Sequence, residues 1–254
     1  FDGCSIKTVI NFSGFNLQSG DLNGGYVARN ADRVINADKI IDGYAFKTID
    51  EVHYLTGYID DDMELILPNG YQGENYQIGE RAFYGCSSLS SIKIPDGITS
   101  IGDLTFEGCC SLPIENNVRY ADKWAVGVDD KSLSQYTLRD DTKGLVNTFS
   151  GCGNMTSIIF PDCITIIGDG AFYGCTSLTG VSIPNSVTRI GEGAFYECFG
   201  LTSVTIGSGV TAIPAYAFMG SNVTSVYVPK SVVEVMPGAF ANCKKLTTVT
   251  FEDG

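Results

Sequence analysis

The sequence predicts a β-rich α/β solenoid, and two regularities carry that prediction. Phenylalanine recurs every 23 residues from Phe149 to Phe218, and Phe83, Phe106 and Phe240 occupy the same position in other units. The residues between them follow a fixed order, in which Leu-x-x-Val-x-Ile-Pro precedes Val-x-x-Ile and then Ala-Phe-x-x-Cys. Units of this length cannot bury an apolar face alone, so they stack on copies of themselves.

Each part of the unit predicts one element. Apolar and polar residues alternate in Val181-Ser182-Ile183, which is typical of a strand with one buried face, so every unit is expected to add one short parallel strand. Pro184 ends that strand because proline cannot donate a hydrogen bond to the next rung. The run around Ala194-Phe195 is too short for an α-helix, and we expect a 3₁₀ or single-turn helix there. The phenylalanine rings should form an internal stack.

The cysteines follow the same period. Seven of the nine lie three residues after the phenylalanine position, namely Cys4, Cys86, Cys109, Cys152, Cys175, Cys198 and Cys243. This phase predicts a ladder of small buried groups, and Ser221 in the same position indicates that size matters more than a bond. We therefore expect free thiols. Disulfides between adjacent coils remain an alternative, because a spacing of about 4.8 Å allows them, whereas zinc is disfavoured by the absence of a Cys-x-x-Cys pair.

Composition excludes several classes of function. The 254 residues carry a net charge of −13, which repels phosphate backbones and anionic lipid, so nucleic acid and bare membrane are not expected as partners. No apolar run reaches the roughly 20 residues of a spanning helix. The single histidine, His53, lies in an aromatic, strand-forming stretch, and no residue is framed as a nucleophile. We expect one elongated domain that is monomeric, is not an enzyme and needs no cofactor.

Two interruptions divide the regular repeats. We expect an irregular β insertion over residues 13–64, a β-hairpin insertion over residues 113–148 and regular repeats of 22 to 23 residues over 149–254. The first insertion contains three short strand-like stretches that begin near Tyr44, Val52 and Met63. Its acidic run Asp60-Asp61-Asp62 indicates a solvated turn, and a calcium-type cation site is the alternative.

The second insertion predicts a hairpin from its alternating residues. Val118–Val128 and Leu133–Leu138 would form the two strands, and the turn-prone Asp129–Ser132 would join them. This segment holds Tyr120 and the only tryptophan, Trp124.

The repeated frame, exemplified by Leu201-Thr-Ser-Val204-Thr-Ile206 and by Ala194-Phe195-Tyr-Glu-Cys198, resembles the BspA-like leucine-rich repeats of bacterial surface proteins. This resemblance implies a leucine-rich-repeat solenoid wound into a right-handed superhelix, with the short parallel strands on one face. It also implies a secreted or surface-anchored protein that acts in adhesion or host interaction and carries no catalytic motif. We expect the chain to be a fragment whose signal and anchor lie outside it.

The leading functional hypothesis is a binding module that uses the exposed side of its strands. The candidate residues flank the buried valine or isoleucine of each strand: Ser91, Lys93, Ser157, Ile159, Ser182, Ser203, Thr205, Ser225, Tyr227, Thr248 and Thr250. The expected partner is a protein, such as a host extracellular-matrix protein, or a glycan. Tyr120 and Trp124 are a second candidate contact, because aromatic residues anchor interfaces, and packing of the hairpin against the solenoid is their competing use. The alternative functions are a structural spacer and a carbohydrate-binding accessory region.

Overall fold

The computed structural model describes residues 6–12 and 31–253. The chain divides into two compact units, the first ending at Ser111 and the second beginning at Leu112. Cys4 and residues 13–30 of the first predicted insertion lie outside the described residues.

The first unit combines an antiparallel sheet with parallel repeat strands. Its strands are β1 (Ile6–Asn11), β2 (Ala31–Asn36), β3 (Lys39–Ile41), β4 (Tyr44–Ile49), β5 (Val52–Tyr58), β6 (Glu64–Ile66), β7 (Gln77–Ile78) and β8 (Ser91–Lys93). Strands β3, β4 and β5 pair antiparallel, and β7 joins β5 in parallel. The pairs β1–β2 and β6–β8 are parallel. Three strands therefore occupy the stretches predicted to begin near Tyr44, Val52 and Met63.

The second unit is a β-solenoid, which confirms the central prediction. Its strands are β9 (Ile114–Glu115), β10 (Val118–Ala121), β11 (Trp124–Val128), β12 (Gly144–Leu145), β13 (Ile166–Ile167), β14 (Gly180–Ser182), β15 (Arg189–Ile190), β16 (Ser203–Thr205), β17 (Ala212–Ile213), β18 (Ser225–Val228), β19 (Glu234–Val235) and β20 (Thr248–Phe251). One parallel sheet has the order β14-β16-β18-β20, and a second has the order β15-β13-β12-β11, extended by the antiparallel β10 and β9. Strands β17 and β19 form a third parallel pair.

The predicted phenylalanine stack runs through this unit. The ring centroids of Phe172, Phe195 and Phe218 are 5.0 and 5.2 Å apart, and the planes are tilted by 4° and 3°. Phe149 and Phe240 continue the stack at 5.3 Å on either side. The rings of the three central residues are fully buried, so the column forms the spine of the core. Phe83 and Phe106 make an equivalent stacked pair in the first unit, at 5.4 Å.

The helical part of the prediction is wrong. The described residues contain turns but no helix, and none of their segments forms a helix that could cross a membrane. The residues two positions before and two positions after each stacked phenylalanine have positive φ, as at Gly170 (56°) and Gly174 (69°) around Phe172, and such residues interrupt a right-handed helix. The amide of Phe172 donates to Ala194 O in the following coil at 2.8 Å, so it does not close a helical turn. The predicted right-handed superhelix is not borne out either.

The second insertion forms a hairpin, but its strands are not those predicted. Strands β10 and β11 pair with each other across a turn at Asp122-Lys123, and Asp129–Ser132 is not the hairpin turn. Residues Leu133–Leu138 form no strand. They pack against the core instead, since the buried ring of Tyr136 lies 5.2 Å from that of Phe149 and is tilted by 51°.

The buried cysteines form the predicted ladder of thiols. Three of the four buried cysteines and the half-buried Cys243 donate the S–H to the carbonyl of the phenylalanine one coil earlier: Cys109 to Phe83 O, Cys175 to Phe149 O, Cys198 to Phe172 O and Cys243 to Phe218 O, at 3.1 to 3.2 Å. Ser221 lies in the same column, 3.3 Å from Cys243 Sγ. The column therefore satisfies buried carbonyl groups along the spine of the core.

Candidate functional site

The outer face of β14, β16, β18 and β20 forms a row of hydroxyl-bearing side chains. The parallel register aligns Ser182 with Thr205, Thr205 with Tyr227, and Tyr227 with Thr250. Because side chains alternate along a strand, the valine at the centre of each strand points inward and the two neighbouring residues point outward. Val181, Val204 and Val226 are buried, Val249 of the edge strand β20 is 42% exposed, and the four residues of the row are exposed.

A second row runs parallel to the first on the same face. The register aligns Gly180 with Ser203 and Ser225 with Thr248, and these three hydroxyl residues are also exposed. The structure therefore brings together seven of the predicted residues of the second unit. We call this surface the hydroxyl face: Ser182, Ser203, Thr205, Ser225, Tyr227, Thr248 and Thr250.

Tyr227 is the largest side chain on the hydroxyl face. It is 51% exposed and lies between Thr205 and Thr250 of the two adjacent strands. Partial desolvation, followed by the negative charges of Glu252 and Asp253, raises the pKa of its phenol. The ring therefore stays neutral at physiological pH and offers both an apolar surface and a hydroxyl group.

Lys93 lies on a different sheet. It lies on β8 of the first unit, where it pairs in register with the exposed Ile66 of β6, and Ser91 pairs with Glu64. Lys93 is exposed as predicted, but it is not part of the hydroxyl face. Ser157 and Ile159 are exposed in the second unit and precede β14 outside any strand.

The prediction that Tyr120 and Trp124 provide a contact surface is wrong, because their exposed fractions are 1% and 2%. Trp124 packs on Gly144 of the adjacent strand, where a Cβ atom would overlap the indole ring. The hydroxyl of Tyr120 accepts a hydrogen bond from Arg139 N at 2.9 Å, and the Arg139 guanidinium lies 4.3 Å from its ring centroid. The aromatic residues therefore fix the hairpin to the solenoid, which was the alternative use.

The acidic run and the histidine do not assemble a metal site in the described part of the chain. No cluster of three or more His, Cys, Asp or Glu side chains there has the arrangement of a metal site. Asp62 accepts a hydrogen bond from the Tyr58 hydroxyl, and burial followed by this bond raises the pKa of the phenol. His53 Nδ1 lies 2.9 Å from Thr48 Oγ1, and its ring packs edge-on against Tyr71. These contacts give His53 a structural role.

The structure also contains a cleft of about 410 Å³ that the sequence reasoning missed. We call it the notch, and its lining residues are Tyr196, Glu197, Phe199, Met219, Gly220, Asn222, Asn242 and Lys244. The signal was present in the spacing, because Phe218 and Phe240 are separated by 22 residues where the preceding intervals are 23. An irregularity in a repeat thus marks the site.

Stacked short parallel strands, a buried aromatic column and side chains presented on the outer strand face define a solenoid repeat protein. Residues 64–137 and 146–254 match the family model of the BspA type leucine-rich repeat region, in six copies. The match covers well over half of the chain, so the chain belongs to this family.

Several solved structures are similar to this chain. A leucine-rich cell surface protein from Faecalibacterium prausnitzii is 23% identical over 84% of this chain and 76% of that protein, with a TM-score of 0.38. A leucine-rich repeat protein from T. pallidum is also 23% identical, over 84% and 81% of the two chains, with a TM-score of 0.35. A leucine-rich repeat protein from Eubacterium ventriosum is 28% identical over 74% and 54%, with a TM-score of 0.47. No curated protein matches the chain.

Proposed function

We propose that this chain is a non-catalytic interaction module of a secreted or surface-anchored bacterial protein and that it binds a protein partner through the hydroxyl face. The observation that carries the proposal is the alignment of Ser182, Thr205, Tyr227 and Thr250 across four parallel strands. This alignment makes a surface without charged side chains in the two rows, on a chain whose net charge is −13.

The chemistry of the hydroxyl face suits contact with a protein. Serine and threonine hydroxyls both donate and accept hydrogen bonds, so they can pair with the backbone of a partner. Tyr227 adds a ring with few rotatable bonds, and tyrosine is enriched among residues that dominate binding energies. The location is supported by membership of the BspA-type family, and the F. prausnitzii protein of similar fold is a cell surface protein.

The test is a binding screen of the immobilised chain against extracellular-matrix proteins, mucin and a panel of polysaccharides at physiological salt. We expect a saturable protein hit that Tyr227→Ala weakens by about tenfold, the loss typical of an interface anchor. Tyr84→Ala is the matched control, because Tyr84 is an exposed tyrosine at a turn of the first unit. It should leave the affinity unchanged.

The other outcomes of the screen each contradict the proposal. Equal loss in both tyrosine variants would remove the hydroxyl face from the interaction. A glycan hit that depends on Tyr227 would identify a carbohydrate-binding accessory region instead. No hit across the panel would favour a structural spacer.

A further inference from the structure

Three successive coils form the notch. The first contributes Glu197 and Phe199, and the third contributes Asn242 and Lys244. The middle coil, which carries Met219 and Gly220, lies between them, since Glu197 N donates to Met219 O and Gly220 N donates to Ala241 O, both at 2.9 Å. The outer coils therefore line the two sides of the notch, and Met219, Gly220 and Asn222 of the middle coil form its floor.

The middle coil is one residue shorter than its neighbours. Two residues separate the cysteine position from the next apolar anchor in the other coils of this region, Thr176-Ser177, Phe199-Gly200 and Lys244-Lys245. Only Asn222 stands between Ser221 and Val223. Gly220, with φ of 79°, adds no side chain to the floor. The Asn222 side-chain amide donates to Phe199 O at 2.6 Å, so the shorter coil remains tied to the first coil.

The lining is apolar on one wall and cationic on the other. The Phe199 ring is 48% exposed, and its Cε1 atom lies 3.5 Å from the point that a Cβ atom of Gly220 would occupy. Met219 and Tyr196 are half-buried beside it, and methionine adapts its shape to an inserted group. The opposite wall ends in the exposed Lys244.

The one acidic group of the lining is engaged elsewhere. The Glu197 carboxylate accepts a hydrogen bond from the Tyr173 hydroxyl, and its charge and this bond raise the pKa of that phenol. Lys244 makes no ion pair with any described residue, and Lys245 follows it directly. On a chain of net charge −13, this corner is a local site of attraction for a carboxylate.

We propose that the notch receives one aromatic or long aliphatic side chain of a protein partner and that Lys244 pairs with a carboxylate on the adjacent partner residue. The inserted side chain lies over the shorter middle coil, between Phe199 and Lys244. The proposal rests on the protein-binding function above and specifies the chemistry of the partner segment.

The experiment titrates N-acetyl-Phe-Asp-amide into the ¹⁵N-labelled chain and follows the amide resonances by NMR. We expect saturable shifts at Phe199, Gly220 and Lys244 with a dissociation constant of about 1 to 10 mM, which is the range for so small a ligand. N-acetyl-Phe-Asn-amide, which lacks the carboxylate, should bind several-fold more weakly. N-acetylglucosamine is the saccharide control and should shift none of these resonances.

Two variants test the shape of the notch. Insertion of one threonine between Ser221 and Asn222 restores the 23-residue spacing of the neighbouring coils and should abolish binding. Phe199→Ala removes an exposed ring and should do the same, with the melting temperature close to that of the parent chain.

Lys244→Met should equalise the affinities of the Phe-Asp and Phe-Asn probes.

The proposal is overturned if no saturable shift occurs at about 10 mM probe, if the insertion and Phe199→Ala variants retain binding, or if the sugar produces the same shifts. These results are distinct from a failure of the proposed function. A protein partner that depends on Tyr227 but binds the insertion variant normally would refute the role of the notch and leave the hydroxyl face as the interaction surface.

Discussion

At the scale of single residues, backbone conformation is as regular as the sequence motif. A left-handed residue stands two positions before and two positions after every phenylalanine of the stack. Glycine fills most of these positions, but Arg81, Leu104, Glu197 and Tyr216 also adopt positive φ. The turn geometry is therefore imposed by the hydrogen bonds between coils, and some side chains tolerate it at an energetic cost.

Gly174 allows the energetic cost of positive φ to be measured without a steric clash. A Cβ atom placed on it would meet no atom within 4 Å, while its φ is 69°. We expect Gly174→Ala to lower the free energy of unfolding by about 1 to 2 kcal/mol, through backbone strain alone. Gly127→Ala is the matched control, since its added Cβ atom also lies in open space and φ is not positive. It should be neutral or slightly stabilising. Urea denaturation measures both, and equal effects would rule out the strain explanation.

Because of the buried thiols, the free energy of unfolding is expected to change with pH in the alkaline range. Burial raises the pKa of Cys198 to about 12 from an ordinary value of 9.0, and that of Cys175 in the same direction. The unfolded thiol loses its proton above pH 9 while the folded thiol keeps it, so the native state binds more protons. Stability contributed by Cys198 is therefore complete below pH 9 and is lost as the pH rises towards 12.

We expect the melting temperature to fall more steeply between pH 8 and pH 10.5 for the parent chain than for Cys198→Ser. The limiting slope is about 1.4 kcal/mol per pH unit for each thiol. Serine is a suitable replacement, because Ser221 occupies this column naturally. Cys163→Ser serves as the control, since Cys163 is exposed and its replacement removes no buried thiol. Parallel slopes for the parent and Cys198→Ser would contradict the prediction.

At the scale of elements, the ring stack predicts a graded response to truncation. Phe195 is fully buried between two parallel rings at 5.0 and 5.2 Å, whereas Phe240 is half-buried and has one stacked neighbour, Phe218. We expect Phe195→Ala to cost about 3 to 5 kcal/mol and Phe240→Ala clearly less. Calorimetry or urea denaturation provides the comparison. A Phe240→Ala variant as unstable as Phe195→Ala would mean that the stack does not determine the loss.

The elements that the sequence predicts well are those with a period. The strands, the phenylalanine column and the cysteine column follow from alternation and spacing, because every coil repeats the same burial pattern. The prediction of short helices was wrong, since residue types such as Glu197 and Tyr216 do not indicate the positive φ that these residues adopt. The hairpin turn was misplaced because the sequence around Asp122 does not mark a turn, whereas the chain reverses at Asp122-Lys123, where Asp122 has a left-handed φ of 54°.

The candidate sites also differ in how far the sequence pattern predicts them. The hydroxyl face was predictable, because side chains beside a buried valine must point outward. The burial of Trp124 was not predictable, since an aromatic residue on a hairpin suits either an interface or the core. The indole ring packs in the core because the facing Gly144 has no side chain. The notch depends on one absent residue between Ser221 and Val223, and a search for motifs does not detect a deletion.

At the scale of the molecule, each coil of a solenoid contacts only the coils next to it. The stability of a coil therefore depends on its contacts with those neighbours. Strand β16 is flanked by β14 and β18, whereas β20 pairs with β18 alone among the described strands. Side-chain burial shows the same gradient, because Val226 of β18 is 2% exposed and Phe251 of β20 is 62% exposed.

This gradient predicts how the 254-residue chain opens. We expect amides of β20 to exchange with solvent faster than those of β16, because local opening needs less free energy where fewer apolar contacts are broken. Hydrogen exchange followed by mass spectrometry on peptides that span residues 203–205 and 248–251 measures the difference. Phe195→Ala should reduce the protection of β16 more than that of β20, since its ring belongs to the coil nearer β16. Equal protection of the two strands would instead indicate that the whole stack opens as one cooperative unit.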